Sequence, residues 1–309
     1  MPDIVISEAM DLRAVESLKC DFEVVYDPDL VNRPSEIVAL VDNALALIVR
    51  NQTQVNSSIL EKARKLKALG RLGVGLDNID LIACKSKGVE VFLATGANTT
   101  SVAELVIGAM IALVRKAFLL TEDVKLGKWP RLELGGREVM GLSLGFIGFG
   151  AISRAVASRA QCLGMDLYGT DPFVSYSDPI WVEYGVKPLS FVNLLKVSDV
   201  ITIHVPLEKS TEYLIDQMAI ESMKTGAVLI NTSRGRIVSE IDMISALHSG
   251  KLSGAFLDVF ENEPVIKGSR FDGVPNLILS PHIGAMTEQG NARVSKMVAE
   301  NISNFLKEG

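Results

Sequence analysis

Short strand-like runs, most of them continuously apolar, alternate with helix-length segments along the whole of this 309-residue chain. Parallel strands that are covered on both faces appear as unbroken apolar runs, whereas half-exposed strands alternate polar and apolar residues. Strands separated by helices therefore predict an α/β protein with parallel sheets. The runs form two groups, which predict two domains. Their bounds are Asp3–Ser7, Phe22–Tyr26, Ala46–Arg50, Ala68–Leu72 and Glu90–Leu93, then Ser143–Phe149, Asp166–Thr170, Val200–Val205, Ala227–Asn231, Ala255–Val259 and Leu277–Leu279.

Composition argues against several classes of partner. A formal net charge of −6 is the opposite of the basic balance of proteins that neutralise phosphates, so no nucleic-acid partner is expected. The longest apolar run, Leu105–Val114, is far shorter than the roughly 20 residues that a membrane-spanning helix needs, so no membrane association is expected. Cys20, Cys84 and Cys162 form no CxxC pair. They predict neither disulfides nor a metal site, and they favour a reducing cytoplasm.

A glycine-rich turn follows the sixth predicted strand. It contains Gly148 and Gly150, and a helix of small residues begins at Ala151 and Ile152. The first glycine permits a tight turn, and the second lets backbone N–H groups approach a pyrophosphate at the positive end of the helix. Such turns also occur for packing alone. Ser153 stands where this dinucleotide fingerprint has its third glycine, so it either fits the helix–strand contact or lowers cofactor affinity.

An acidic residue further along supports the dinucleotide interpretation. Asp171 follows the seventh predicted strand, 21 residues after Gly150, and an acidic residue about 20 positions on binds the ribose hydroxyls of NAD. A carboxylate there repels the 2′-phosphate of NADP, and no arginine follows through Ser177. The alternative for Asp171 is an Asp-Pro turn. The spacing favours NAD as the cofactor.

Three histidines are available as general acids or bases. His248 lies shortly before Gly250, a predicted helix C-cap, which favours a helix-dipole role. His204 lies in a strand that Pro206 ends, which favours a hydrogen-bonded structural role. His282 is predicted at the carboxyl end of a buried strand, the edge where open parallel sheets bind ligands. The alternative for His282 is a structural histidine that is buried in the core with its hydrogen bonds made.

Charged residues at two further strand ends are predicted to lie at the same edge. Arg234 comes just past one apolar strand, Asp258 lies within the next predicted strand, and Glu263 lies just beyond it. A single charge at a strand end usually forms a loop salt bridge. An arginine, an acid and a histidine beside a dinucleotide turn together supply a carboxylate anchor, an orienting acid and a proton shuttle. We therefore predict Arg234, Glu263 and His282 as catalytic residues.

These motifs make the chain similar to the D-isomer-specific 2-hydroxyacid dehydrogenases, in the branch of D-3-phosphoglycerate dehydrogenase. The resemblance implies an α/β fold of two doubly wound parallel-sheet domains. A Rossmann NAD-binding domain, residues 99–285, would be inserted in a split, flavodoxin-like substrate domain, residues 1–98 and 286–309. The resemblance runs nearly end to end, through Leu47–Arg50, Gly73–Asp80, Ser101–Glu104, the glycine turn, His204–Leu207, Asn231–Gly235, Asp258–Phe260, Glu263–Pro264 and Ser280–Ala285.

The resemblance also implies residue roles in an NAD-dependent oxidoreductase acting on a CH–OH group. Arg234 would bind the substrate carboxylate, and His282 would exchange a proton with the substrate oxygen. Glu263 would orient His282 and favour its imidazolium form, and Asp258 would hold the nicotinamide carboxamide. The family also implies a homodimer. The cofactor cleft would be lined by Val205, Pro206, Thr232 and Ser233.

Two arginines of the first domain predict a second anion on the substrate. Arg50 and Arg71 both lie at predicted strand ends, although an arginine is more often a surface residue than a ligand. The pair fits a doubly anionic C3 acid such as 3-phosphoglycerate or 3-sulfolactate, and the backbone amides of Val74 and Gly75 would complete the carboxylate site. Bacterial (S)-sulfolactate dehydrogenases are the group most similar in Met1–Glu8, Gln52–Val55 and Arg71–Gly75.

Three functions stay open from the sequence. The first is a D-2-hydroxyacid dehydrogenase acting on phosphoglycerate, sulfolactate, or hydroxypyruvate and glyoxylate. The second is a formate-type dehydrogenase, which Glu263 disfavours because that subgroup is expected to carry glutamine there. The third is an NAD-sensing binding module of the same fold, which is disfavoured because such proteins carry extra partner-binding segments.

Overall fold

The computed structural model describes residues 2–129, 131 and 136–308. Contacts between residues divide the chain into two compact units, Met1–Asn98 with Ala285–Gly309, and Thr99–Gly284. The predicted domains differ from these units in placing Ala285 with the second one.

Strands and helices alternate through both units, with three short 3₁₀ helices at Leu30–Asn32, Ala117–Leu120 and Gly235–Ile237. In chain order the elements are β1 (Ile4–Ile6), α1 (Leu12–Lys19), β2 (Val24–Tyr26), α2 (Pro34–Val41), β3 (Ala46–Val49), α3 (Ser57–Lys62), β4 (Ala68–Arg71), α4 (Leu81–Ser86), β5 (Glu90–Leu93), α5 (Thr99–Arg115), α6 (Thr121–Lys125), β6 (Ser143–Ile147), α7 (Ala151–Cys162), β7 (Asp166–Thr170), α8 (Pro179–Glu183), β8 (Val186–Pro188), α9 (Phe191–Val197), β9 (Val200–Ile203), α10 (Gln217–Ser222), β10 (Ala227–Asn231), α11 (Glu240–Ser249), β11 (Leu252–Leu257), β12 (Leu277–Leu279) and α12 (Glu288–Glu308).

The first unit contains a five-stranded parallel sheet in the order β2-β1-β3-β4-β5. This is the doubly wound order of flavodoxin-like folds. Successive side chains of a strand point to opposite faces, so Ile4 and Ile6 pack against α1 and α12 while Val5 packs against α2. Both faces of the sheet are therefore covered, which explains why most residues of its strands are apolar.

The second unit contains a seven-stranded parallel sheet in the order β12-β11-β10-β9-β6-β7-β8. The order reverses between β6 and β9, which is the Rossmann arrangement, and ligands bind at the carboxyl edge of such a switch point. Helices α5, α7 and α8 cover one face, and α9, α10 and α11 cover the other. Phe149, in the glycine turn, stacks on Trp181 at a ring distance of 4.4 Å and so ties that turn to the core.

Several local predictions were wrong in detail. Strand β12 is an edge strand with half-buried residues and not a buried strand. Strand β11 ends at Leu257, so Asp258 follows the strand and does not lie within it. Strand β8 was not predicted, because three residues ending in Pro188 give no apolar run.

Within the described residues, no helix is long and apolar enough to cross a membrane. Among the same residues, no group of three histidine, cysteine or acidic side chains is arranged to hold a metal ion. All three cysteines are free thiols.

Candidate active site

The carboxyl edge of the second sheet carries the predicted acid–base residues on three loops. Strands β10, β11 and β12 are parallel neighbours, so their following loops emerge at one edge. Arg234 lies on the loop after β10, Glu263 on the loop after β11, and His282 on the loop after β12. The sheet order thus brings together residues that are up to 48 positions apart in sequence.

Glu263 and His282 are in direct contact. His282 Nδ1 lies 2.7 Å from Glu263 Oε2, and each side chain is one third exposed. The second oxygen, Oε1, accepts a 3.0 Å hydrogen bond from the Phe260 backbone N–H. Burial acts to raise the pKa of Glu263, but the hydrogen bond and charge of His282, the Phe260 amide and the charge of Arg234 together lower it below its ordinary value. Glu263 is therefore an ionised partner for His282.

Gly235 explains how Arg234 comes close to the Glu263 loop. A Cβ added at Gly235 would lie 1.9 Å from the carbonyl carbon of Phe260 and 2.5 Å from the amide nitrogen of Glu261. The two backbones touch there, with no room for any side chain. Asn231, fully buried, donates from Nδ2 to the Arg234 carbonyl at 2.9 Å and so fixes the same turn.

Asp258 holds the loop that carries His282. Its buried carboxylate accepts three hydrogen bonds: from Ser280 Oγ at 2.5 Å, from Ile283 N–H at 2.9 Å and from Gly284 N–H at 2.8 Å. The Asp258 carbonyl also accepts from the His282 N–H at 2.8 Å. These contacts hold His282 in a left-handed conformation, φ 55°, which is uncommon for residues other than glycine. The predicted contact of Asp258 with nicotinamide stays a prediction.

A cluster of the buried Glu240, the partly buried Glu261 and the exposed Arg270 supports the loop before Glu263. The backbone N–H of each glutamate donates to the carboxylate of the other, at 3.0 and 2.7 Å. Arg270 lies 3.5 Å from Glu240 and 3.0 Å from Glu261. Sequence analysis did not single out this cluster. A glutamate at the start of a helix is an ordinary helix signal, so nothing distinguished Glu240.

The glycine turn after β6 has the geometry of a dinucleotide site. Gly148 has φ 84°, and a Cβ there would lie 2.6 Å from the carbonyl oxygen of His204. Gly150 is the N-cap of α7, and a Cβ at Gly150 would meet nothing within 4 Å. Open space thus lies beside the start of α7, whose first residues are Ala151 and Ile152. Ser153 fits, because its buried hydroxyl donates to the Gly148 carbonyl at 2.6 Å.

Asp171 joins the glycine turn to the end of β7. Its Oδ2 accepts from the Phe149 N–H and its Oδ1 from the Phe173 N–H, both at 2.8 Å. The second bond is the short Asx turn that the alternative interpretation predicted. Each carboxylate oxygen keeps a further lone pair, so the turn leaves acceptors for ribose hydroxyls, and the predicted ribose contact stays a prediction.

Polar atoms in the predicted cofactor cleft lack partners. Thr232 Oγ1 and His204 Nδ1 are buried and have no hydrogen-bond partner among the described residues. His204 Nε2 lies 2.9 Å from Thr202 Oγ1, and burial lowers the pKa of His204 to about 3, so it is neutral. Val205 packs on Gly148, Pro206 follows it, and Ser233 donates to Asn231 Oδ1. The open space at Gly150 and the unpartnered Thr232 hydroxyl are both compatible with a bound dinucleotide.

In the first unit, the predicted substrate residues follow neighbouring strands. Val49 of β3 pairs with Arg71 of β4, so Arg50 and Arg71 lie at one edge of that sheet. Arg71 is only 8% exposed and donates to the Leu72 carbonyl at 2.8 Å. Val74 is exposed and Gly75 half-buried.

Two residues that sequence analysis did not predict hold the Arg50 guanidinium. It donates to Asn291 Oδ1 and lies 2.7 Å from Met286 Sδ. Both residues belong to the C-terminal segment, so only the fold could have indicated them.

Comparison with known proteins agrees with this geometry. The family model described as the NAD-binding domain of D-isomer specific 2-hydroxyacid dehydrogenases matches residues 107–284. The chain belongs to this family. It is an NAD-dependent oxidoreductase that acts on the CH–OH group of hydroxy acids. The roles of its individual site residues stay predictions.

Three similar proteins give the family context. The chain is 44% identical to an (S)-sulfolactate dehydrogenase of Chromohalobacter salexigens over 99% of both chains. It is 40% identical to a D-3-phosphoglycerate dehydrogenase of Archaeoglobus fulgidus over 88% of its own length, but it spans only 51% of that relative. Among solved structures, D-lactate dehydrogenase of Aquifex aeolicus with NAD and lactic acid superposes with a TM-score of 0.85 at 29% identity, over 99% of this chain and 95% of that one.

Proposed function

We propose that the chain catalyses NAD-dependent interconversion of a doubly anionic C3 2-hydroxy acid and its 2-oxo acid, with 3-sulfolactate and 3-sulfopyruvate as the pair. The observation that carries this proposal is the placement of Arg50 and Arg71 at one edge of the first sheet. Arg234, in the second unit, is the predicted ligand of the substrate carboxylate. Two further cations suit a substrate with a second anionic group.

Both arginines of the first unit are held in place. Arg50 has neutral partners, the Asn291 amide and the Met286 sulfur, while its Nε is buried with no hydrogen-bond partner among the described residues. Burial lowers the pKa of Arg50, although the nearby charge of Glu8 acts to raise it. An arginine stays protonated in proteins, so an anion near Arg50 would offset the cost of burying its charge.

The acid–base chemistry follows from the second unit. Bound cofactor would supply the redox partner for C2, with NAD⁺ as hydride acceptor for oxidation and NADH as hydride donor for reduction. Arg234 binds the carboxylate and polarises the C2 oxygen. His282, whose Nδ1 is bonded to Glu263, uses its other ring nitrogen to take the hydroxyl proton during oxidation and to return it during reduction. Glu263 fixes the ring orientation and, as an ionised group, stabilises the charge that His282 acquires.

For the cofactor, the N–H groups at the start of α7 would bind the pyrophosphate, and Asp171 would bind the adenosine ribose. Asp258 would hold the carboxamide. Thr232 would supply a hydroxyl, while Val205, Pro206 and Ser233 would line the rest of the cleft.

The higher identity to the sulfolactate dehydrogenase, 44% against 40% for the phosphoglycerate dehydrogenase, favours the sulfonate among the doubly anionic acids. A hydroxypyruvate reductase of Thermotoga maritima, 36% identical over 96% of both chains, favours hydroxypyruvate as the second candidate substrate.

Initial rates of NADH oxidation with 3-sulfopyruvate, 3-phosphohydroxypyruvate, hydroxypyruvate, glyoxylate and pyruvate test the proposal. We expect the highest kcat/KM with 3-sulfopyruvate. Arg71→Ala should lower kcat/KM at least about tenfold with 3-sulfopyruvate and much less with glyoxylate. Arg64→Ala, at an exposed arginine of the same unit, is the matched control. A wild-type preference for hydroxypyruvate, or equal losses in Arg71→Ala with both substrates, would contradict the proposal.

We also propose a homodimer in the cytoplasm. Apolar side chains are exposed together along one segment of the second unit, at Phe118, Val124, Leu126 and Trp129, and such a patch suits an interface with a second copy. The cytoplasm is supported by the three free thiols. Light scattering should give twice the chain mass for the wild type and a lower mass for Trp129→Glu.

A further inference from the structure

Glu8 is a buried carboxylate beneath the loop that carries Arg50. It follows β1 and is only 5% exposed. Four consecutive backbone N–H groups donate to it. Its Oε1 accepts from Arg50 at 2.8 Å and from Thr53 at 2.9 Å, while its Oε2 accepts from Asn51 at 3.3 Å and from Gln52 at 3.1 Å. The carboxylate thus holds every amide of the segment 50–53.

The same loop is fixed from its carbonyl side and through a side chain. Asn78, also buried, donates from Nδ2 to the Thr53 carbonyl at 2.7 Å and to the Arg50 carbonyl at 3.3 Å. Ser7 Oγ lies 2.9 Å from Thr53 Oγ1. Because β1 and β3 are parallel neighbours, the loops after both strands meet at this edge. The backbone of Arg50 is consequently held from two directions.

The arrangement has a chemical consequence for anion recognition. Successive backbone N–H groups that converge form an anion-binding concavity. Here the anion is the chain's own Glu8, so these four amides are not available to an external carboxylate, sulfonate or phosphate. Recognition of a second substrate anion at this loop therefore depends on the Arg50 guanidinium, whose place is set by the backbone that Glu8 holds.

We propose that Glu8 is a specificity-determining positioning residue, which occupies the amides of the segment 50–53 and thereby fixes Arg50 for the second anionic group of the substrate. This inference rests on the proposed preference for doubly anionic acids. Glu8 acts through the loop and does not touch the substrate, so its removal should affect doubly anionic substrates more than singly anionic ones.

Glu8→Gln is the primary test. The glutamine keeps the shape but removes the charge and puts an NH₂ group in place of one oxygen, so the two hydrogen bonds that this oxygen accepts are lost. We expect KM for 3-sulfopyruvate to rise about 10-fold to 100-fold, KM for glyoxylate to rise less than about threefold, and the Kd of NADH to stay unchanged. Glu16→Gln, at an exposed glutamate of α1, is the matched control and should behave as wild type.

Glu8→Asp provides the conservative comparison and the variant to use if Glu8→Gln does not fold. Aspartate keeps the charge, but its side chain is one methylene shorter, so the carboxylate lies further from the four N–H groups. We expect a smaller rise in KM for 3-sulfopyruvate, with kcat unchanged. Equal rises for both substrates, or no rise, would overturn the role of Glu8. A wild type that does not prefer doubly anionic substrates would overturn the proposed function and this inference together, whereas a preference that Glu8→Gln retains would overturn the inference alone.

Discussion

At the carboxyl edge of each sheet, a buried carboxylate accepts hydrogen bonds from a neighbouring loop and fixes that loop. In the first unit, Glu8 follows a strand and accepts four backbone N–H groups of the loop that carries Arg50. In the second unit, Asp258 follows a strand and accepts two backbone N–H groups and a hydroxyl of the loop that carries His282. In both units a buried carboxylate fixes a loop mainly through backbone N–H groups, and in the second unit the Ser280 hydroxyl adds one side-chain contact.

The two edges differ in what they leave accessible. The Arg71 side chain is nearly buried, whereas His282 and Glu263 are one third exposed. A group that recognises charge gains from burial because electrostatic attraction is stronger away from water. A group that exchanges a proton must reach both the substrate and, in each cycle, the solvent. This difference fits the proposed function, in which Arg50 and Arg71 bind the second anionic group and His282 exchanges the proton.

The largest effect should come from His282→Asn. The substitution removes the proton-exchanging ring, while asparagine tolerates the left-handed backbone at this position. Turnover should fall about 10²-fold to 10⁴-fold, with NADH binding unchanged in a fluorescence titration. His248→Asn, at the end of α11, is the control. Turnover within tenfold of wild type would mean that the reactive acid lies elsewhere.

Gly235→Ala should separate the arginine from the acid–base pair. Its Cβ collides with the backbone of Phe260, so the two loops must move apart, and a displacement of about 1 Å can cost about 10²-fold in rate. We expect kcat to fall by that order, with a lowered Tm. Gly108→Ala in α5, where an added Cβ meets nothing within 4 Å, should keep full activity and gain about 0.5–1 kcal/mol of stability. An active Gly235→Ala enzyme would contradict the coupling of the loops.

Asp171→Ala should change the choice of cofactor. Loss of the carboxylate removes both the ribose acceptor and the repulsion of a 2′-phosphate, so the ratio of kcat/KM for NADH to that for NADPH should fall at least about tenfold. Asp166→Ala, at the other end of β7, should leave the ratio as it is. An unchanged ratio in Asp171→Ala would remove this residue from the ribose site.

The smallest effect should be on stability, in Glu240→Gln. Burial raises the pKa of Glu240, and the Glu261 charge raises it further, against the opposing Glu261 amide and the charge of Arg270. A raised folded-state pKa gives stabilisation that is complete below the ordinary value of 4.5 and is lost as pH rises through the folded value.

The glutamine of the variant does not titrate, so the variant does not lose this stabilisation. Its free energy of unfolding, relative to that of wild type, should therefore increase as pH rises from about 4 to about 7. Urea unfolding across that range measures the difference, with the exposed Glu183→Gln as control. If the free energy of unfolding of Glu240→Gln fell relative to that of wild type as pH rises, the pKa of Glu240 would not be raised in the folded state.

Central strands and the glycine turn could be predicted because their signals are local. The run Ala227–Asn231 has the predicted bounds and is buried throughout, since buried parallel strands require mostly apolar residues. The run Asp166–Thr170 also has the predicted bounds, although it is only partly buried. Edge strands escape this rule: β8 has no apolar run, and β12 is half-buried although its sequence is apolar.

The supporting residues could not be predicted because their signals are not local. Glu8 lies 42 to 45 positions from the amides that it holds, and Arg50 meets Asn291 across 241 positions. The residues around Glu8 are ordinary for the end of a strand and give no sign of its contacts. Charged residues near motifs could be predicted from the sequence. That carboxylates fix the loops of those residues became visible only once the order of the strands was known.

The contact at Gly235 constrains how this protein can be modified. The separation between Arg234 and the Glu263 loop is set by two backbones in contact, and no side chain is available there to change it. Redesign for longer or differently charged acids therefore has little freedom in the second unit, and the loops after β3 and β4 are the place to vary residues. Libraries confined to those loops should recover altered substrate range while the hydride-transfer apparatus is inherited intact.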